Sequence, residues 1–242
     1  PGVPVLSYPY ASPHYARALD DIGQVVQVHS LGIWVLLRAI PGTELYDAAA
    51  VYPLACPRHP GTADRLKSEL ARLGVVSLTL VIDPLCDAVM QGWLPDIFDM
   101  ARPYKTHFMH DQQLAASQPE KMYSQQHRRN IRLAKIMCTM RQVEFSEILR
   151  EWCGLYDVLI ERNRLTGIHC FSGAYFEKLS EMPGLHAFGA YVDDELVAAS
   201  LWLAWEDKAV LHLAASNAEG YRTRAAFGLF DMTVRYFKEM AL

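Results

Sequence analysis

The sequence predicts an α/β (α+β) protein of two similar lobes, each a mainly antiparallel, twisted sheet flanked by helices. Two observations carry this prediction. Short apolar runs rich in β-branched residues alternate with longer stretches of helical period. The order helix, three-strand meander, loop, helix occurs twice along the 242 residues, at similar internal lengths. With 51% hydrophobic and 21% charged residues, the chain has ample material for a core. The boundary falls near residue 104, giving lobes of residues 1–104 and 105–242.

Ser12-Pro13 opens the first helix, Ser as cap and Pro at the first helical position, running to about Ile22. Val25 to Val28 and Ile33 to Ala39 flank the hairpin turn Ser30-Leu31-Gly32, and Tyr46 to Ala55 forms the third apolar stretch. A Pro-rich loop, Cys56 to Gly61, precedes a helix capped by Thr62 and stopped by Gly74. Val75 to Ile82, with five β-branched residues in eight positions, is a buried strand. Lys105 to His110 also reads as a strand, followed by Asp111 as a cap or turn residue.

The second lobe holds a helix from Ser124 to Lys135, a strand at Arg141 to Phe145 and a long amphipathic helix from Ser146. Ser172 caps a helix that stops at Pro183-Gly184. Leu185 to Val192, Leu196 to Trp205 and Ala209 to Ala215 make its meander, and a polar loop from Ser216 to Tyr221 feeds a helix from about Thr223 to Met240. A counterpart of Val75 to Ile82 does not follow this helix, so the second lobe is expected to be incomplete at its C-terminal side. One sheet edge would then be open unless further residues or a second protomer cover it.

Charge is concentrated in one place. Within the basic helix region, residues 121–138 with Arg141 beyond, six lysines or arginines occur between Lys121 and Arg141 without an acid, in a chain of net charge −4. Helical spacing puts Arg128, Arg132 and Lys135 on one ridge, with Ile131, Ala134 and Cys138 about 90° away. One side of this helix packs while the other, including Arg129, presents positive charge to an anionic ligand or to solvent.

Other chemistries find little support. The five cysteines are odd in number, scattered and never spaced Cys-x-x-Cys, which points to a reducing, cytoplasmic compartment. No histidine pair has metal-ligand spacing, so no metal is expected; His107 and His110 would point to opposite faces of their strand. No apolar run approaches a membrane span, and Pro1 to Val5 lacks the basic start of a signal peptide. The near-neutral balance argues against general nucleic-acid binding. The tryptophans at 34, 93, 152, 202 and 205 read as core or interface fillers.

His127-Arg-Arg-Asn-Ile-Arg-Leu-Ala134 resembles the Arg-Arg-Asn-Ile-Arg-x-Ala helix of Fem-like proteins, twin-lobed members of the GNAT superfamily. The likeness continues through Leu155 to Arg162, Phe171 to Leu179 and His212 to Asn217, covering about residues 105–240. The first half matches more loosely, through Tyr46-Asp47, Tyr52-Pro53-Leu54 and Asp83-Pro84-Leu85.

The resemblance implies two GNAT-like lobes and an N-acyltransferase moving an acyl or aminoacyl group to a small-molecule or peptide amine. Acyl-CoA would be a co-substrate rather than a resident cofactor. In such proteins the donor lies where a strand gives way to a helix, whose free N–H groups and dipole favour anions. The matching residues are Ser216, Asn217, Gly220, Arg222, Thr223 and Arg224. His212 and Tyr221, on or after the same strand, are the local candidates for proton transfer. Arg128, Arg129 and Arg132 would take substrate phosphate or carboxylate. Arg162 reads as a salt-bridge or capping residue. The superfamily signature Arg/Gln-x-x-Gly-x-Gly/Ala is not met by Arg222-Thr-Arg-Ala-Ala-Phe-Gly228. Three readings therefore stand open: an acyl-CoA enzyme, an aminoacyl-tRNA-dependent peptidyltransferase acting on a cell-wall precursor, and a noncatalytic GNAT-fold binding protein.

Overall fold

The computed structural model describes residues 8–51, 53–58, 61–84, 86, 92–117 and 122–240. Lys121, Tyr52 and Leu85 lie outside these residues. The chain forms two compact units, Ser7–Phe108 and a second containing Met109–Leu242.

In the N-terminal unit, β1 (Gln24–Val28), β2 (Ile33–Ala39) and β3 (Tyr46–Ala50) pair antiparallel in that order. β4 (Val75–Thr79) joins β3 in parallel after the crossover helix α2 (Ala63–Arg72). Thr62 caps α2 by accepting the Arg65 N–H at 3.2 Å, and Gly74, at φ +68°, ends it. Leu66 of α2 packs into the cluster of Val28, Leu31, Ile33, Val35 and Leu37. Glu69, on the same helix, accepts the N–H groups of His29 and Ser30 at 2.7 and 2.9 Å and so fixes the β1–β2 turn.

Four expectations need correction in this part of the chain. The strand β4 stops at Thr79, short of Ile82, and is mostly exposed rather than buried. The first helix, α1 (Pro13–Ala18), stops short of Ile22 and gives way to turns. The third strand ends at Ala50, leaving Ala55 in an isolated parallel bridge with Ile82. Lys105 to His110 is exposed and is not a strand. Its residue types are compatible with a strand, but among the described residues it pairs with no other strand.

The C-terminal unit is a sheet of order β5-β6-β7-β8, antiparallel throughout. Its strands are β5 (Thr139–Val143), β6 (Leu185–Val192), β7 (Glu195–Trp205) and β8 (Lys208–Ser216). The short helix α3 (Leu94–Ile97) belongs to the first unit, and α4 (Gln112–Ser117) and α5 (Gln125–Met137) open the second. The Asp111 carbonyl accepts the Ala115 N–H at 2.9 Å, placing Asp111 at the start of α4. A 3-10 turn, Phe145–Ile148, leads into α6 (Leu149–Asn163), and α7 (Gly173–Ser180) follows, capped by Ser172.

After β8 the chain makes two helices, α8 (Ala218–Arg222) and α9 (Ala225–Glu239), where one helix preceded by a polar loop was expected. Phe188 and Ala190 of β6 face Leu229 and Phe237 of α9. Ala187, Gly189 and Tyr191 point to the other face by strand alternation. No strand follows α9 among the described residues, and the outer edge of β8 is unpaired. The repeat between the units thus holds for β1–β3 and β6–β8, while the fourth strand differs: β4 follows its helix, whereas β5 precedes the meander.

Candidate functional site

Two register slips shape the end of the C-terminal sheet. Leu201 pairs with Leu213 but Trp202 with Leu211, so His212 is an extra residue bulged out of β8. Ala190 pairs with Ala198 but Tyr191 with Leu196, so Val197 is the extra residue of β7. The freed Val197 carbonyl accepts the Asn217 N–H at 3.0 Å, which ties the start of the strand-to-helix crossing to the sheet.

The crossing is built largely from its own side chains. Asn217 caps α8 by accepting the Gly220 N–H on Oδ1 at 2.9 Å. Gly220 presses on the Val197 carbonyl, where an added Cβ would stand 2.3 Å from the oxygen. Thr223 is fully buried, and its hydroxyl donates to the Glu219 carbonyl at 2.8 Å. Arg222 grips Glu219 through two guanidinium nitrogens, Nε to Oε2 at 2.7 Å and Nη2 to Oε1. These hydrogen bonds hold the Glu219 carboxyl below its ordinary pKa. Arg224 is exposed and left-handed, at φ +63°, and no side chain caps the first turn of α9 behind it. Ser216 is buried at the end of β8. Tyr221 is 38% exposed and carries the Arg162 guanidinium 3.6 Å from its ring centroid, a stacking role for Arg162 in place of the expected salt bridge or cap.

His212 is enclosed. Its Nε2 shares a 2.8 Å hydrogen bond with the hydroxyl of fully buried Tyr175, and burial lowers its pKa to about 3. The imidazole is therefore neutral at pH 7, and the structure gives it the surroundings of a packed core residue.

The basic helix α5 lies against α9. Ser124 caps it, accepting the His127 N–H at 3.2 Å. Ile131, Ala134 and the following Cys138 are buried, while Arg128, Arg129 and Arg132 are exposed, as the helical spacing implied. Gly228 of α9 allows the close crossing, for a Cβ there would meet Ala134 Cβ at 2.9 Å and Met140 Sδ at 2.5 Å. His127 meets Phe227 edge-on, ring centroids 5.3 Å apart, so the arginine-bearing end of α5 adjoins the first turn of α9.

Two cations of the cluster are engaged within the fold. Lys135 pairs at 2.7 Å with Asp231, a buried acid of α9 that also binds Arg235. Arg141 instead covers the ring of Tyr191, 4.2 Å from its centroid. Neither partner could be named from local spacing, because both come from elements distant in sequence.

No protein-family model matches this chain, and no curated protein matches its sequence. Solved structures do. FemX superposes with a TM-score of 0.59 over 94% of this chain and 80% of its own, at 11% identity. The C-terminal domain (DUF2156) of an Agrobacterium fabrum protein assigned as a lysylphosphatidylglycerol synthetase gives 0.56 over 93% and 70%, at 15% identity. A conserved protein of unknown function from Bacteroides thetaiotaomicron gives 0.50 over 91% and 77%, at 12% identity. The fold is thus Fem-like, of the two-lobe GNAT type. Among the described residues no helix is long and apolar enough to cross a membrane.

Proposed function

We propose that this protein is a Fem-like transferase that moves an aminoacyl group from a tRNA ester to an amine, working in the cytoplasm where charged tRNA is made. The observation that supports the tRNA donor over acyl-CoA is the crossing itself. Asn217 Oδ1 and the Thr223 hydroxyl are spent on the backbone of α8, Gly220 is packed against Val197, and Arg222 is held by Glu219. Few groups are left there for a compact pyrophosphate. Anion recognition then falls to Arg128, Arg129 and Arg132 of α5 beside the first turn of α9, a helical ridge suited to successive phosphates. The name of one neighbour, a lysylphosphatidylglycerol synthetase, agrees with transfer of an aminoacyl group.

In this reaction the free amine attacks the ester carbonyl, its lone pair forming the new C–N bond. The tetrahedral oxyanion collapses with loss of the C–O bond, and the tRNA hydroxyl leaves with the proton shed by the attacking nitrogen. Tyr221, exposed at the crossing and braced by Arg162, is the group we assign to that proton. His212, neutral and enclosed, positions the β8 bulge. The experiment is a thermal-shift comparison of acetyl-CoA, free CoA, uncharged tRNA and aminoacyl-tRNA, followed by transfer of a radiolabelled amino acid to an amine. Stabilisation by the tRNAs but not by the CoA ligands, with label reaching the amine, is expected. Stabilisation by acetyl-CoA alone would replace the donor, and no transfer from either donor would leave a binding protein.

A further inference from the structure

Two clefts of about 470 and 600 Å³ open side by side on the C-terminal unit and share a wall of Ile148, Glu151, Tyr191 and Asp194. Their charge is mostly negative, five carboxylates against the guanidinium of Arg141. Glu144, Glu147 and Glu151 line them from the approach to α6 and its first turn, and Asp194 and Glu195 from the β6–β7 turn. Among the described residues, none of these five carboxylates is ion-paired with a lysine or arginine. Glu147 and Glu151 stand four residues apart on one face, where like charges repel. The turn opposite them is rigid: Asp193 and Asp194 both take positive φ, +49° and +64°, the two-residue hairpin geometry that Asp tolerates.

Tyr191 is what points to a ligand. Its side chain is only 8% exposed and walls both clefts. It lies back over Gly189, two residues earlier on the same face, where an added Cβ would stand 2.9 Å from the hydroxyl. Arg141, the register partner of Gly189 on β5, covers the ring. Among the described residues the buried Tyr191 hydroxyl finds no hydrogen-bond partner. A hydroxyl removed from water without a partner is costly, and natural structures seldom keep one. The side chain that carries it forms part of the wall the two acidic clefts share.

The carboxylates are strung along a groove, not gathered to a point. Among the described residues no three His, Cys, Asp or Glu side chains converge closely enough to hold a metal ion. A groove lined mainly by carboxylates, with Arg141 turned onto the Tyr191 ring at one wall, suits a flexible chain whose cationic groups are spaced along it. Ammonium groups fit because each is a donor three times over and accepts nothing, so carboxylates and the phenol oxygen can all serve it. We propose that this groove binds an aliphatic polyamine, two or more ammonium groups three or four methylenes apart. One cleft is also lined by Asn217, the first residue of the crossing, so an amine at that end lies beside the proposed donor site. That second step, the polyamine as acceptor, rests on the transferase reading; binding does not.

The test is calorimetric titration of the whole protein, without donor, with spermine, with the amide of Lys-Lys and with magnesium chloride. Spermine or the dilysine amide should bind and magnesium should not. The tighter of the two identifies the source of the ammonium pair, a free polyamine or a peptide. The triple variant Glu147→Gln, Glu151→Gln, Asp194→Asn should weaken that binding about tenfold or more and keep its melting temperature, since it relieves repulsion. Tyr191→Phe should weaken binding without unfolding. Absence of binding by both amines, equal response to magnesium, or unchanged affinity in the folded triple variant would each overturn the site, whatever the donor experiments give.

Discussion

Gly220 is fitted against the carbonyl of Val197 so closely that a methyl group in place of its hydrogen would stand 2.3 Å from the oxygen. That carbonyl is free for the approach because Val197 is the bulged residue of β7, and it already accepts the Asn217 N–H. The glycine expected to bend around phosphate is thus a packing residue that lets α8 start where β8 ends. On helix propensity alone, Gly220→Ala would gain about 1 kcal/mol. The clash is with backbone, which cannot swing aside, so a net loss of about 1–3 kcal/mol is expected. Thermal melting should show this as a drop of about 2–12 °C. A rise would mean that the crossing shifts freely and that Gly220 is not its anchor.

The buried acid of α9 should govern how the C-terminal unit responds to mild acid. Burial pushes the Asp231 pKa up, but hydrogen bonds from Arg235 and Lys135 outweigh it and leave the carboxyl below its ordinary value. Its contribution is then complete above the unfolded value of about 3.9 and fades as pH falls through the lower folded value. Asp231→Asn should cost about 1–3 kcal/mol in urea melts at pH 7, because both donors are charged. The gap between the two proteins should close below about pH 4. A constant gap from pH 7 to pH 3 would show that shape, not charge, is what Asp231 supplies.

Much of this architecture is legible because it is local. Ser12, Thr62, Ser124 and Ser172 each accept the backbone N–H three residues on, as their place before an apolar-periodic run implies. The buried and exposed sides of α5 follow from residue spacing. What a sequence conceals is the single extra residue. His212 and Val197 look like ordinary strand positions until the neighbouring strand fixes the register, and only then does one become an enclosed imidazole and the other a free acceptor. Lys105 to His110 shows the converse, a run that reads as a strand without being one, because residue types say nothing about a partner. Tyr191 and Arg141 belong to different strands, and their meeting over Gly189 needs the β5–β6 register.

His212 predicts a second, separable pH dependence. Burial lowers its pKa to about 3, against about 6.5 in an unfolded chain. Between those values the unfolded state holds a proton that the folded state does not. Stability from this residue is therefore full above about pH 6.5 and falls toward pH 3, by up to about 1.4 kcal/mol per pH unit. His212→Gln removes the titrating ring and leaves an amide within reach of the Tyr175 hydroxyl. Urea melts from pH 7 to pH 4 should therefore show a flatter profile for the variant than for the natural chain. Parallel profiles would mean that the ring is open to protonation and that Tyr175 does not enclose it.

The arginines of α5 provide the sharpest test of anion recognition, because the same helix supplies its own control. Arg128 and Arg132 are exposed while Ile131, between them, is 7% exposed and packed inward. Lys135, one turn on, is held by Asp231 and so spends its charge on the fold. If Arg128 and Arg132 bind phosphates, replacing both by Ala should reduce the slope of log affinity for tRNA against log salt by about 2, roughly one for each phosphate no longer neutralised. The melting temperature should move by no more than about 3 °C, since exposed charges contribute little to stability. Ile131→Asp should do the opposite, lowering stability because it buries a charge without a partner, while any protein that remains folded keeps its salt dependence. A double Arg variant that melts early but binds with an unchanged slope would make these arginines part of the fold and move the anion site elsewhere.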